Sequence, residues 1–193
     1  MAENSMNPFR PVEIWMDTMV KVKEGEDEKM VDAKHYHIRY LVGEGEDKRF
    51  VDEGGNDVGQ MQEKALFIAP SIHKIPGETF HYNMSDVERV AGEDNLDGKV
   101  KRLMRAGQCQ EHPLVEVSFQ SSGVDCCAMT KEEADEQQVP VQYLSGYLLG
   151  RSNGMMKVAM TKTVLESGQE YYESVHIIPE SIVKDWACLE QAA

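Results

Sequence analysis

Apolar and polar residues alternate through 113–123 (PLVEVSFQSSG), the period-two pattern of a strand with one face buried. Two more strands are expected in 139–150 (VPVQYLSGYLLG) and 155–163 (MMKVAMTKT). Between these runs lies RSNG, whose Asn153-Gly154 pair suits a tight hairpin turn. Further strands are expected at 170–179 (EYYESVHIIP) and in the closing PESIVKDW. In 130–140 (TKEEADEQQVP), Thr130 and Glu133 have capping-box spacing and Pro140 ends the segment, which predicts a short acidic helix at 131–138. Five short strands with one helical insert predict a small closed barrel, because closure removes exposed sheet edges.

The first half follows a similar order. A strand is expected at 11–22 (PVEIWMDTMVKV), then an acidic stretch, a hairpin with a glycine-rich tip at 35–51, and a strand at 63–74 (EKALFIAPSIHK). Three landmarks recur in order: Val12-Glu13-Ile14 with Val115-Glu116-Val117, YLVG at 40 with YLLG at 147, and Ser71-Ile72-x-Lys74 with Ser181-Ile182-x-Lys184. Collinear matches of this kind are the mark of an internal duplication. The reading is therefore a mainly β (α+β) protein with two tandem small barrels, 11–76 and 113–186. A helical linker, 77–112, joins them; within it Ser85 and Glu88 form a second capping box, and DGKVKRLMRAGQ (97–108) is expected to be a helix stopped by Gly107.

The cadence of 113–186 resembles a class of small phage- and prophage-associated proteins similar to Sm-like β-barrels. The likeness lies in a Val-rich first strand, a short Glu/Ala helix, GYLL with its turn, a VAM strand and the closing HIIPESIVK. The chain departs from that cadence at Ser118-Phe119 and in a longer loop at 163–170. The resemblance implies a binding module of the Sm-like or Src-homology-3-like type and no defined activity.

Charge narrows the partners. The formal net charge of −14 argues against general nucleic-acid binding, which needs a basic footprint, and against an anionic membrane surface. The one basic cluster, Lys99, Lys101, Arg102 and Arg105, is expected to rest against the protein's own acidic surface. No apolar run reaches a membrane span, the opening MAENSMNPFRPVE lacks the plan of a secretory leader, and Cys109, Cys126, Cys127 and Cys188 have no paired spacing. These features favour a reduced, cytoplasmic setting.

Candidate chemistry is sparse. There is no phosphate-binding Gly-Lys-Ser/Thr and no His-Glu-x-x-His, so a non-enzymatic binding or regulatory protein is expected. His35 and His37 flank Tyr36, which puts both imidazoles on one strand face, half of a tetrahedral zinc site that His73 or His81 would have to complete. A metal-dependent hydrolase built on that pair is one alternative to a protein without a cofactor. Aromatic side chains offer a binding surface: Tyr40, Tyr143, Tyr147, Tyr171 and Tyr172, with Arg151 beside them. They fit a protein partner or, at the junction of the barrels, a small nucleotide ligand. Homo-oligomerisation is compatible with both.

Overall fold

The structure is a computed structural model that describes residues 8–24, 27–45, 49–51, 57–60, 65–75, 79–91, 99–106, 108–109, 113–121, 130–132 and 138–192. Among the described residues strand makes up 75% and helix 6%, so the protein is mainly β, as expected. The strands are β1 (Arg10–Glu24), β2 (Asp27–Gly45), β3 (Arg49–Val51), β4 (Asp57–Gln60), β5 (Ala65–Ala69), β6 (Ser71–Lys74) and β7 (Phe80–His81). They continue as β8 (Glu88–Ala91), β9 (Val100–Arg105), β10 (Leu114–Gln120), β11 (Val141–Ser152), β12 (Met155–Leu165), β13 (Glu170–Pro179) and β14 (Val183–Gln191).

Each half has the same strand order. In the second it runs β13-β12-β11-β10-β14, and in the first β8-β5-β2-β1-β9. Register agrees to the residue. Pro11 faces Tyr40 as Leu114 faces Tyr147, and Tyr40 faces Ala69 as Tyr147 faces Ala159. A bulge follows at Leu41/Gly43 in one half and at Leu148/Gly150 in the other. Cores match too: Val12, Ile14 and Ile68 cluster in the first half where Val115, Val117 and Val158 cluster in the second.

The halves nevertheless do not form two barrels. Strand β12 pairs with β11 through Tyr147↔Ala159, then crosses and pairs with β2 through Thr161↔His37 to Leu165↔Ala33. The β5–β6 segment makes the reciprocal crossing, from β2 to β11. With β9 and β14 paired to each other, β1, β2, β12, β11, β10, β14 and β9 close into one seven-stranded barrel. Crossing gives the long strands partners on edges that a separate small barrel would leave bare, which is the physical reason the tandem arrangement gives way. A third buried cluster, Ile38, Leu103, Tyr147, Ala159 and Leu189, draws on both halves.

Two other expectations change. Residues 100–105, read as the helix of a linker, are strand β9, with Leu103 buried between Lys101 and Arg105 on one face. Ser71–Lys74 is not the counterpart of 181–184; register places Ser71 against Leu144 as it places Thr161 against His37. Residues 181–184 instead run from a 3-10 turn into β14. Lys131 and Glu132 are helical as expected, while 133–137 lie outside the described residues. The Asn153-Gly154 hairpin is as expected, with φ of 54° and 71°.

Candidate functional site

At the centre of the barrel two tyrosines reach across the boundary between halves. Tyr40 Oη donates to Glu116 Oε1 at 3.1 Å and accepts from Ser145 Oγ at 2.9 Å. Tyr147 Oη donates to Glu13 Oε1 at 2.7 Å. Strand β9 supplies one cation to each carboxylate, Lys101 to Glu13 at 3.3 Å and Arg105 to Glu116 at 3.2 Å. Burial, with the facing carboxylate second, raises both phenols above the ordinary tyrosine value. Tyr40 and Tyr147 are thus interior struts.

The other aromatic candidates scatter. Tyr143 packs against Phe80 at 5.5 Å on the β11–β6 side. Tyr172 lies against Tyr147 at 6.0 Å and donates to Glu170 at 2.5 Å; burial and that carboxylate push its phenol up to about 12. Arg151 bonds Glu180 at 2.7 Å and stacks over Trp186 at 5.2 Å. Of the six, Arg151 and Tyr171 are exposed, and each lines a cleft. The basic cluster is paired internally, as expected: Lys99 with Asp17, Lys101 with Glu13, Arg102 with Glu44, and Arg105 with Glu116 and Asp185.

No family model, no curated protein and no solved structure matches the chain.

The candidate site is a groove under the β1–β2 arm. Beyond Trp15, β1 pairs with β2 alone among the described residues, and β13 pairs with β12 alone. Between these two edges lies a cleft of about 370 Å³ lined by Val20, Lys21, Val22, Lys23, Thr163, Tyr171 and Glu173. Four consecutive residues of β1 line it, so that strand meets the cleft edge-on rather than by one face. A second cleft of about 420 Å³, where β12 parts from β2, carries Asp17, Asp32, Lys34 and Glu166 around Ala33 and Leu165. Sequence reasoning found Tyr171 but missed the groove. Its valines read as ordinary strand positions, and only the strand pairing shows which edge is bare.

On the same sheet face as the groove floor lies the histidine pair. Directly paired residues share a sheet face, so Ile14–His37–Thr161–Glu173 and Met16–His35–Thr163–Tyr171 form two rows across β1, β2, β12 and β13. The rings of His35 and His37 meet edge to face at 4.4 Å. His35 Nδ1 is 2.7 Å from Thr163 Oγ1. Arg39, nearly fully buried, donates to the Ile38 carbonyl at 2.9 Å and approaches His37 Nδ1 at 3.5 Å and Glu88 at 3.8 Å. Burial, then the neighbouring His35 and Arg39, brings His37 down to about 4. In the second half the positions of His35, His37 and Arg39 are held by Gln142, Leu144 and Gly146.

Among the described residues no three His, Cys, Asp or Glu side chains are placed to hold a metal ion. His73, one of the ligands expected to complete a zinc site, faces His81 across β6–β7 and lies 3.2 Å from Ser71 Oγ. Cys109 and Cys188 are disulfide-bonded with Cα atoms 5.3 Å apart, which corrects the reading of unpaired cysteines. Their separation of 79 residues gives no local spacing signal. Cys126 and Cys127 lie outside the described residues. No helix among the described residues is long and apolar enough to cross a membrane.

Proposed function

We propose that the protein is a non-enzymatic binding protein that grips an extended polypeptide segment of a protein partner in the groove between β1 and β13. The observation that carries this is the unpartnered edge of β1 running along a cleft whose other wall is the Thr163, Tyr171 and Glu173 face of β12 and β13. An inserted strand gains main-chain hydrogen bonds from such an edge, and alternate side chains reach Val20, Val22 and Tyr171. Lys21, Lys23 and Glu173 in this cleft, and Asp17, Asp32, Lys34 and Glu166 in the second, favour a segment of mixed charge. The Sm-like, phage-type resemblance of 113–186 supports a binding role through the strand order of that half.

The test is selection from a random linear decapeptide library, followed by amide mapping and affinity measurement. Selected peptides are expected to shield amides of Val20–Lys23 and Tyr171–Val175, and Val22→Asp is expected to weaken them at least about tenfold through a buried, unpaired charge. Peptides that map elsewhere, or that ignore Val22→Asp, overturn the reading.

A further inference from the structure

We propose that the β2–β12 seam is an acid-operated gate of the groove: protonation of His37 loosens the pairing of Ala33–His37 with Thr161–Leu165. The functional consequence rests on the groove reading, because Thr163 and Leu165 of this seam line its two clefts.

The argument is one of hydrogen-bond direction. A guanidinium can only donate, so the approach of Arg39 Nη2 to His37 Nδ1 requires a lone pair there. The ring proton then sits on Nε2, which is buried and has no partner; Arg39 Nε is in the same condition. The cluster is therefore imperfectly satisfied while neutral, and a second proton on His37 both deletes that acceptor and sets a cation against Arg39. Neighbours offer little compensation. From β1 the facing residues are Ile14 and Met16, and from β12 they are Thr161 and Thr163. Glu88 of β8 faces Arg39 at 3.8 Å, and Glu173 of β13 lies one strand beyond Thr161. His35 Nδ1 is matched by the Thr163 hydroxyl, whereas His37 has only the guanidinium beside it, so His37 is the trigger.

The second half marks the device by contrast. Its counterparts of His37 and His35, Leu144 and Gln142, carry no titratable group at those positions. For a side chain near 4 when the seam is closed and near 6.5 when it is open, lowering pH from 7.5 to 5.0 favours opening by up to about thirtyfold.

Hydrogen exchange on the full chain at pH 7.5 and 5.0, corrected for intrinsic rates, reads this directly. In the wild type, protection at 33–37 and 161–165 is expected to fall by up to about thirtyfold, while Leu114–Gln120 changes little. In His37→Leu, and in the milder His35→Gln/His37→Leu pair that copies the second half, the fall is expected to stay below about threefold. An equal fall in wild type and both variants, or no fall in wild type, overturns the gate. The experiment contains no ligand, so its failure is separate from that of the groove: peptides that bind at pH 7.5 while exchange stays flat leave the groove standing and remove the gate.

Discussion

Replacing Tyr147 by Phe removes one hydroxyl from a bond that joins the halves. The lost donor lies 2.7 Å from Glu13, whose side chain is nearly buried and keeps Lys101 at 3.3 Å. Hydrogen bonds to charged groups contribute about 1.5–3 kcal/mol net, and the remaining lysine places this one near the middle, at about 2 kcal/mol. With a urea slope of about 2 kcal/mol/M for a chain of this size, the midpoint is expected to drop by about 1 M. Tyr40→Phe should cost a similar amount through Glu116, at 3.1 Å, and through the acceptor it withdraws from Ser145. The chain has two tryptophans, Trp15 on β1 and Trp186 on β14, one in each half. Urea unfolding followed in Trp15→Phe and Trp186→Phe backgrounds therefore reports each half by itself. One barrel requires coincident midpoints that Tyr147→Phe moves together. Separate midpoints, or a shift confined to one tryptophan, would refute the account of interlocked halves.

Three other outcomes follow from the same contacts. Tyr40 and Tyr147 are held above the ordinary phenol value by burial and by Glu116 and Glu13, so the folded form keeps its protons longer than the unfolded one. Stability from these groups is complete below about pH 10 and should then fall by up to about 1.4 kcal/mol per pH unit per phenol, which urea midpoints from pH 9 to 11.5 would show, with a slope shallower by one phenol's share in Tyr147→Phe. At Gly146 an added Cβ would lie 2.4 Å from the Ala159 carbonyl oxygen, so Gly146→Val should cost at least about 1–3 kcal/mol in the same assay. Reducing Cys109–Cys188, which closes a separation of 79 residues, should lower stability by up to about 4 kcal/mol on the chain-entropy account, measured as the urea midpoint with and without reductant.

Local grammar made much of the fold legible. Strand-like patterning found β10, β11, β12 and β13, and Asn153-Gly154 announced its hairpin because both residues tolerate positive φ. Strand β9 was misread because Val100, Leu103 and Met104 have the i, i+3, i+4 spacing of a helical stripe. What placed Leu103 inward was instead the strand alternation of Lys101, Leu103 and Arg105 against the two central carboxylates. The crossings were hidden for a different reason. Nothing near Thr161 says that it will leave β11 and meet His37, since that choice is made by two distant edges competing for one partner. His35 and His37 were singled out for their spacing, but their setting came from Arg39 and Thr163, residues without a signal of their own.

The reciprocal exchange of β6 and β12 makes the two halves of the chain mutually dependent, like the hands of a clasp. A cut within 110–112 would leave pieces that each lack the strand bridging their own open side, yet each carries the strand the other lacks. The Cys109–Cys188 bond spans that cut, so the severed pieces would stay covalently joined, free to refold as a unit and to be exchanged for redesigned counterparts after reduction.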